Sequence, residues 1–572
     1  MNPSNYPLYK THQITDLRDM LSKSVEMYGE RPAFWVRPSE GQPFEPVSYM
    51  EFNEDVHEMC AALLNLGMKD KKVAVVSENR YEWPITYLAA VFSAKMVVPI
   101  DKELPRVDIH TLLNTAEVGC VVYSSKLSEC VKEWNLAQEN PAILINMDIP
   151  EDAAGELSFA RALDKGKELL KSGFSLFDDV AADPTEAKIL LFTSGTTATP
   201  KGVLLSQHNI ATNLMAMCQM IDIFIDDIFL SVLPLHHTYE CTCGFLCPIY
   251  RGASVAYCDG LKYVAPNLKE VKATVVLSVP AMFETMYRRL WATARKNKIE
   301  GKLKTGLKIS GLLSAIGVDM RHKLFAQIHE NFGGRVRLFI SGAAGIDPVI
   351  SKGFRNLGIN FLQGYGITEC SPIVALNRDK HYRDDAGGLT MPCMDIKLIN
   401  RDEDGIGEIA CRGGNVMVGY YRDEEATAAA FEDGWFKTGD LAKIDKEGFV
   451  IITGREKNVI VTKNGKNIYP EELETLVGRR QEIAECMVFG EYDEGSKETT
   501  ICIQVLPNSD YIREAHGEKS RDEIKKIIED IIHEVNRGNV LYKYIRKVYL
   551  RDVEFAKTTT KKIKRHAQSP LA

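Results

Sequence analysis

Residues 191–202 read LFTSGTTATPKG, and this stretch decides how the rest of the sequence is interpreted. It begins inside a short apolar run, Ile189–Phe192, which predicts a buried β-strand. Positions 193–202 then collect hydroxyl side chains, two glycines and a lysine. Glycine lets backbone N–H groups approach a ligand closely, and hydroxyls with a lysine complement anionic oxygens. The stretch therefore predicts a loop that closes on a polyphosphate, although its composition alone also fits a flexible Ser/Thr-rich surface loop.

Short apolar runs recur on both sides of this loop and alternate with helical patterns. The runs are Val73–Val76, Cys120–Tyr123, Ile143–Ile145, Ile189–Phe192, Thr274–Leu277 and Val336–Ile340. Strands that are apolar throughout and separated by helices are typical of a parallel sheet covered on both faces. We therefore expect an α/β fold for the larger, N-terminal part of the chain.

The pattern changes after about residue 390. Two pairs of strands are predicted, with polar turns at Arg401–Gly405 and Asp445–Gly448, which indicates antiparallel β-structure. Further on, apolar residues from Ile524 to Val535 step by three and four and predict one helix that ends before Gly538. The polar run at 454–458 separates apolar strands, and there we place a domain boundary, giving domains 1–455 and 456–572.

Composition and charge exclude several classes of protein. The chain has 572 residues, 45% hydrophobic and 26% charged, with a formal net charge of −8. Such a composition excludes extensive disorder and argues against a dedicated nucleic-acid binder. The 13 cysteines are sparse for a disulfide scaffold, so we expect reduced thiols and a cytoplasmic protein. Neither a signal peptide nor an apolar run of about 18 residues is present, so no transmembrane helix is expected.

Several other polar clusters are ambiguous when taken alone. Residues 341–344 (SGAA) and 364–369 (GYGITE) fit either tight backbone packing or close approach of a nucleotide. Asp440 and Arg455 could be surface charges, and the basic run 557–566 could be a solvated tail. Residues 236–247 combine two histidines, a glutamate and three cysteines, but their spacing is not that of a standard zinc site, so buried thiols are favoured.

Seven motifs in order give these clusters a common interpretation. They are TSGTTATPKG (193–202), SGAAG (341–345), GYGITE (364–369), GWFKTGD (434–440), GREKN (454–458), NGKNIYPEELE (464–474) and KTTTKKIKR (557–565). Together they resemble the adenylate-forming superfamily of acyl-CoA synthetases, and most closely its long-chain fatty-acid–CoA ligases. The resemblance implies a mixed α/β fold: a large N-terminal domain of parallel-sheet subdomains with a small β-barrel-like part, then a small mobile α+β C-terminal domain.

The resemblance also implies roles for individual residues in binding ATP and Mg²⁺. The phosphates would be held by Thr193, Ser194, Gly195, Thr196, Thr197 and Lys201, and the nucleotide by Gly342, Ala343, Ala344, Gly364, Tyr365, Gly366 and Thr368. Tyr365 would stack on adenine and Thr368 would contact the α-phosphate. Glu369 and Thr196 would ligate Mg²⁺, and Asp440 with Arg455 would bind ribose.

The remaining roles concern catalysis and the acceptor thiol. Lys562 would contact both the acid carboxylate and the α-phosphate, with Lys561 as the competing register because the family's usual Pro and Gly positions hold Ala556 and Lys561 here. His237, in the run LPLHH (233–237), would line the carboxylate pocket. Lys457 would be the hinge of the C-terminal domain, and Gly465 would line the tunnel for the pantetheine arm of CoA.

The expected activity is ATP-dependent ligation of a carboxylic acid, most closely a fatty acid, to CoA. The enzymatic alternative is transfer of the acyl group to the pantetheine arm of a carrier protein through the same adenylate. An alternative of another class is a non-catalytic protein that binds ATP or acyl groups. No nucleic-acid partner is expected, and peripheral contact with a membrane is compatible with the sequence.

Overall fold

The computed structural model describes residues 7–39, 41–176, 183–193, 200–462, 466–493, 498–557 and 563–565. The chain divides into two compact units. We call residues 1–395 with 412–436 the large unit, and residues 396–411 with 437–572 the small unit. Among the described residues, no helix combines the length and the apolar character needed to cross a membrane.

The strands are numbered in chain order. They are β1 Pro32–Val36, β2 Glu45–Ser48, β3 Lys72–Val76, β4 Met96–Pro99, β5 Val118–Tyr123, β6 Ile143–Asn146, β7 Leu157–Ser158, β8 Ala187–Thr193, β9 Lys201–Ser206, β10 Ile228–Ser231, β11 Ser254–Tyr257, β12 Val275–Ser278, β13 Leu338–Ser341, β14 Asn360–Gly366, β15 Ile373–Leu376, β16 Gly388–Thr390, β17 Met394–Ile399, β18 Gly407–Gly413, β19 Gly419–Tyr420, β20 Phe431–Glu432, β21 Trp435–Ile444, β22 Phe449–Arg455, β23 Ile460–Val461, β24 Asn467–Ile468, β25 Ile483–Asp493, β26 Glu498–Pro507 and β27 Lys547–Leu550.

The α-helices are numbered in the same way. They are α1 Leu17–Tyr28, α2 Tyr49–Asn65, α3 Glu82–Ser93, α4 Arg106–Ala116, α5 Ser128–Leu136, α6 Phe159–Lys171, α7 Gln207–Met220, α8 Cys247–Arg251, α9 Val264–Glu270, α10 Pro280–Lys296, α11 Glu300–Ala315, α12 Arg321–Leu324, α13 Ala326–Asn331, α14 Pro348–Asn356, α15 Glu424–Ala430, α16 Pro470–Gly478, α17 Ser509–His516 and α18 Arg521–Arg537. A π-helix, Tyr239–Leu246, directly precedes α8.

Two sheets form the framework of the large unit. In one, the order is β19-β9-β8-β4-β3-β5-β6-β7, and strands β8, β4, β3, β5, β6 and β7 run parallel. In the other, β14, β13, β12, β10, β11 and β1 run parallel and are flanked by antiparallel strands. This parallel pairing confirms the expected α/β fold. Parallel strands of this kind are buried on both faces, which is why their sequences are apolar throughout.

The core of the second sheet is aromatic. Phe339 on β13 lies between Phe283 of α10 and Phe354 of α14, with ring centroids 5.0 and 5.1 Å away. Phe361 on β14 stacks on Phe354 at 5.8 Å. Each of these rings is essentially excluded from solvent. The helices are therefore fixed on the sheet by large apolar side chains with well-defined ring contacts.

The small unit has its own core. Helix α18 begins at a capping box, in which Ser520 and Glu523 bond each other's backbone N–H groups. Its apolar face, including Ile528 and Ile532, packs on a sheet with the order β25-β26-β27. The helix predicted from Ile524 to Val535 is confirmed, as is the antiparallel pair β21–β22 around the turn at Asp445–Gly448.

Gly166 fixes how closely two helices of the large unit approach. It lies in the middle of α6, where alanine would normally be the better helix former. A Cβ atom at Gly166 would lie 1.8 Å from the backbone oxygen of Glu58 on α2. The absence of a side chain is therefore required by the contact between the two helix backbones.

We expect Gly166→Ala to lower the free energy of unfolding of the large unit by about 1–3 kcal/mol or more, since the two helices must separate. Gly311 provides the matched control, because it also lies inside a helix and nothing lies within 4 Å of an added Cβ. Gly311→Ala should be neutral or stabilise by up to about 1 kcal/mol. Chemical denaturation followed by far-UV circular dichroism measures both, and equal effects would contradict this explanation.

Candidate functional site

The carboxyl ends of three parallel strands meet at one edge of the second sheet. Ser278 on β12 pairs with Ser341 on β13, which pairs with Gln363 on β14. The segment Gly342–Ala344 therefore leaves the sheet beside Gly364–Gly366, where β14 continues and pairs with β15. In open α/β sheets this edge is where ligands bind.

The glycine of the Ser341–Ala344 segment has a packing role. An added Cβ at Gly342 would lie 2.7 Å from the ring of Tyr239, whose hydroxyl donates to the backbone oxygen of Ile340 at 3.1 Å. Ala343 follows with a φ of +70°, a conformation that costs energy for a residue with a side chain. This turn is thus shaped by the close packing of Tyr239 and by the positive φ of Ala343.

A second glycine contact shapes the segment from Gly364 to Glu369. A Cβ at Gly366 would lie 2.3 Å from the backbone oxygen of Pro372, so the chain folds back on itself there. Tyr365, Thr368 and Glu369 are half-buried at the same edge. The glycine spacing is therefore explained by backbone packing, while the polar side chains between and after the glycines remain accessible to a ligand.

Two fully buried asparagines brace the turn that follows Glu369. The side-chain amide of Asn213, on α7, donates to the backbone oxygen of Ile373 at 2.9 Å. The amide of Asn415 donates to the backbone oxygen of Cys370, also at 2.9 Å. Buried amides with satisfied donors hold a loop in one geometry, so Glu369 is presented on a rigid turn.

The predicted phosphate loop closes a β-hairpin. Strands β8 and β9 are antiparallel, and Thr193 pairs with Lys201 across the hairpin. The hydroxyl of Thr193 lies 3.4 Å from the backbone oxygen of Lys201, to which it donates. Ser194, Gly195, Thr196 and Thr197 lie outside the described residues. Both ends of the loop are thus fixed in the sheet.

Lys201, Tyr420 and Glu369 form a chain of contacts in the large unit. The ammonium of Lys201 lies 4.7 Å from the ring centroid of Tyr420. The Tyr420 hydroxyl donates to Oε1 of Glu369 at 3.1 Å. Burial and the neighbouring Glu369 carboxylate raise the pKa of Tyr420, which keeps the phenol protonated as a donor. The end of the predicted phosphate loop is therefore connected to the predicted metal ligand.

His237 lies two residues before the π-helix Tyr239–Leu246. The backbone N–H of Tyr239 donates to Nδ1 of His237 at 3.2 Å, which makes that nitrogen the acceptor. The π-helix is buried along its length, and burial raises the pKa of the Cys241 thiol to about 12. No cluster of His, Cys, Asp or Glu suited to a metal ion occurs in the described part of the chain.

Glu240, three residues after His237, is a buried carboxyl group. It is 1% exposed, and its interaction with the Ser231 hydroxyl offsets only part of the effect of burial. Gly244 makes room for it, since a Cβ there would lie 2.6 Å from Oε1. Burial raises the pKa of Glu240 to about 8, so the group is protonated at neutral pH.

In the small unit, Asp440 and Arg455 are cross-strand partners on β21 and β22. Nε of Arg455 lies 2.9 Å from Oδ1 of Asp440, and the aspartate is buried while the arginine is exposed. The preceding residue, Gly439, has a φ of +69° and donates its N–H to Glu408 at 2.9 Å. The TGD segment is thus held by backbone geometry, and its aspartate forms an ion pair with Arg455 of the neighbouring strand.

The basic run near the C-terminus is anchored on both sides. Lys557 forms an ion pair with Glu485 and a β-bridge with Ile563. Arg565 donates to the carboxylate of Glu474 at 2.5 Å and to the backbone oxygen of Val488 at 2.9 Å. These partners are inconsistent with a wholly solvated tail. Lys561 and Lys562 lie outside the described residues.

The sequence predicts roles for two further residues of the small unit, Lys457 and Gly465. Lys457 is exposed in a one-turn 3₁₀ segment, Glu456–Asn458, directly after Arg455. Gly465 lies outside the described residues. The hinge at Lys457 and the domain boundary between 455 and 456 therefore stay predictions.

Sequence reasoning missed three residues that shape the site: Asn213, Asn415 and Tyr420. Each is isolated in sequence, and each acts on a segment more than 40 residues away. Glycine and hydroxyl motifs give no signal for such partners. Asn213 and Asn415 each come directly before a short apolar run, at 214–217 and 416–418, and such a position is too common to identify a bracing residue.

We expect Glu240→Gln to change how stability depends on pH. In the unfolded chain the carboxyl ionises at its ordinary pKa, near 4.3, but in the folded protein at about 8. Between these values the unfolded state binds fewer protons, so folding stability falls as pH rises, by at most about 1.4 kcal/mol per unit. The variant should lack this fall. The thermal midpoint of the variant should therefore rise relative to that of the wild type as the pH is raised from 5 to 8. Glu139→Gln, at an exposed position, is the control and should have the same pH dependence as the wild type. The same pH dependence in Glu240→Gln and the wild type would contradict the assignment.

Comparison with known proteins agrees with this geometry. Residues 21–421 match the family model described as AMP-binding enzyme, and residues 457–569 match the one described as AMP-binding enzyme C-terminal domain. The chain is 28% identical to long-chain-fatty-acid–CoA ligase 1 of Cavia porcellus, over 92% of this chain and 80% of that protein. It is also 28% identical to the ligase FadD15 of Mycobacterium bovis, over 78% and 75% of the two chains. The adenylation domain of a carboxylate reductase from Mycobacterium chelonae shares the fold with a TM-score of 0.78, at 21% identity over 96% of this chain and 89% of that one. The first family match alone covers more than half of the sequence, and the chain belongs to the AMP-binding enzyme family.

Proposed function

We propose that this protein is an ATP-dependent acid–CoA ligase that acts on a medium- or long-chain fatty acid. The observation that carries the proposal is the chain of contacts from Lys201 through Tyr420 to Glu369. These contacts begin at Lys201, in the β8–β9 hairpin that the predicted phosphate loop connects. It joins a cation, a hydrogen-bond donor and a carboxylate, as the binding of a metal-complexed polyphosphate requires. The names of three relatives, each a long-chain-fatty-acid–CoA ligase that is 28% identical to this chain, support the substrate class.

The first half-reaction is formation of an acyl adenylate. The acid carboxylate attacks the α-phosphorus of ATP in line, the bond to the bridging oxygen breaks, and pyrophosphate leaves. Catalysis consists of holding two anions together and offsetting the charge that develops. In this proposal the 193–202 loop holds the β- and γ-phosphates, and Lys562 contacts the carboxylate and the α-phosphate.

Glu369 has the chemistry needed for a magnesium ligand. Its carboxylate is half-buried, and one oxygen is already oriented by the Tyr420 hydroxyl. Mg²⁺ prefers such hard oxygen ligands, and Glu369 with Thr196 would hold it. When bound, the ion neutralises phosphate charge and orients the leaving pyrophosphate. In this proposal Tyr365 stacks on adenine and Thr368 contacts the α-phosphate. Asp440 and Arg455 bind the ribose.

The second half-reaction transfers the acyl group to a thiol. The thiolate of CoA attacks the carbonyl of the adenylate, the mixed anhydride breaks, and AMP leaves. His237 would line the carboxylate pocket, Gly465 the pantetheine tunnel, and Lys457 would be the hinge between the two half-reactions. Transfer to a carrier protein remains the alternative acceptor reaction, and cytoplasmic location remains part of the proposal.

Acid-dependent exchange between ATP and labelled pyrophosphate tests the first step directly. Fatty acids of increasing length should support exchange, and adding CoA or a pantetheinylated carrier protein should identify the acceptor. Lys562→Ala should lower exchange by at least about 10²-fold, the scale for loss of one preorganised donor, but spare thioester formation from supplied acyl adenylate. Lys561→Ala is the matched control. Loss in Lys561→Ala alone would move the assignment by one residue, and no exchange with any acid would favour the non-catalytic alternative.

A second experiment tests the link between Tyr420 and Glu369. Glu369→Gln removes a proposed metal ligand, so it should raise the Mg²⁺ concentration needed for half-maximal adenylation and lower the rate. Tyr420→Phe removes only the hydrogen bond to that carboxylate, and we expect a smaller rise in the same direction, with a rate loss of about 10-fold. The neighbouring Tyr421→Phe should leave the Mg²⁺ titration unchanged, because that ring packs beside Lys72. Unchanged Mg²⁺ titration in both Glu369→Gln and Tyr420→Phe would contradict the role.

A further inference from the structure

Helix α11 in the large unit is apolar on two opposite sides. Its inner side contributes Leu303 and Leu307 to a small core with Phe325 and Leu357. Its outer side exposes Ile309 and Leu312, and Ile316, directly after the helix, continues this side; the three residues are 45%, 71% and 73% accessible. A surface helix ordinarily has one apolar stripe facing the core and a polar face toward water. The outer stripe is therefore not explained by folding.

The exposed residues form a continuous ridge. Positions 309, 312 and 316 differ by three and four and so share one side of the helix. The helix ends at Ala315, and Gly317, two residues later, has a φ of +81° that allows the N–H of Val318 to reach the backbone oxygen of Leu313 at 2.9 Å. This cap exposes Val318 next to the ridge.

The same region is strongly basic in an acidic protein. Between residues 288 and 323 the sequence has ten basic residues (Arg288, Arg289, Arg295, Lys296, Lys298, Lys302, Lys304, Lys308, Arg321 and Lys323) and two acidic ones, Glu300 and Asp319, while the whole chain carries a net charge of −8. Both acids form ion pairs, Glu300 with Lys304 at 2.7 Å and Asp319 with Arg321 at 2.6 Å. Within the described residues no carboxylate lies within 4 Å of exposed Lys302 or Lys308.

We propose that α11 is a membrane-docking helix that lies in the interface of a bilayer containing anionic phospholipids, with Ile309, Leu312 and Ile316 inserted among the acyl chains. A helix with protruding aliphatic residues flanked by lysines has the chemistry of an interfacial helix. Lysines beside the ridge keep their aliphatic stems on the apolar surface while their ammonium groups meet lipid phosphates. A bilayer accepts a convex ridge of this kind without a complementary groove. The charge excess and the apolar ridge therefore point to one partner.

Flotation with lipid vesicles tests the proposal on the full chain. Vesicles of phosphatidylcholine with about 30% phosphatidylglycerol should bind the protein, and binding should weaken with added salt because surface charge attraction is screened. Pure phosphatidylcholine vesicles should bind it much less. The triple variant Ile309→Ser, Leu312→Ser and Ile316→Ser should lower binding to the anionic vesicles by about 10-fold or more. Lys302→Glu with Lys308→Glu should lower it as well.

Leu136→Ser is the matched control, since Leu136 is 87% exposed on α5, outside this region, and the variant should bind like the wild type. Because all the altered side chains are exposed, circular dichroism should show unchanged folding in each variant. Failure of the wild type to bind anionic vesicles, or equal binding by the triple variant, would overturn the proposal. A dimer that the triple variant abolishes, without vesicle binding, would assign the ridge to a second copy of the chain instead.

Discussion

The arrangement of the candidate site depends on strand β9, which is paired on both sides. Its partner β8 fixes Thr193 opposite Lys201, and its partner β19 places Tyr420 opposite Val203. The backbone N–H of Met417 donates to the backbone oxygen of Glu369 at 2.8 Å. Backbone hydrogen bonds thus bring together segments that are more than 150 residues apart. Only then can the Lys201, Tyr420 and Glu369 side chains meet, because each sits on a strand or turn whose position is already fixed.

Much of the fold and part of the site were predictable from the sequence, for a physical reason. Parallel strands buried on both faces have continuous apolar runs, so most of the framework of the large unit was visible without a structure. The predicted phosphate loop and the segment around Glu369 could be picked out because glycines and polar side chains are concentrated there. Tyr420 and the bracing asparagines were not, since their partners are distant and a single polar residue has no periodicity.

Glycine was the least specific signal in the sequence. The spacing around Gly342 and Gly366 suggested close approach of a nucleotide, yet the nearest atoms to an added Cβ belong to the Tyr239 ring and to the backbone oxygen of Pro372. Both contacts lie at the edge where the parallel strands end. A glycine there allows the chain to turn sharply, and the turn in turn exposes Tyr365 and Thr368 to a ligand. Close packing and the accessibility of these side chains are therefore successive consequences of one backbone constraint.

The basic run at 557–566 is anchored by ion pairs at Lys557 and Arg565, so it differs from a solvated basic tail. An untethered lysine loses much conformational entropy when it is fixed on a substrate. Here the β-bridge between Lys557 and Ile563 holds together the ends of the segment that contains Lys562, and Arg565 is held by Glu474. In any chain that is fixed at two points, ordering a residue between those points costs less conformational entropy than ordering it in a free tail. For the proposed role of Lys562, contact with two anions at once, an anchored run is therefore a less costly starting point than a solvated tail.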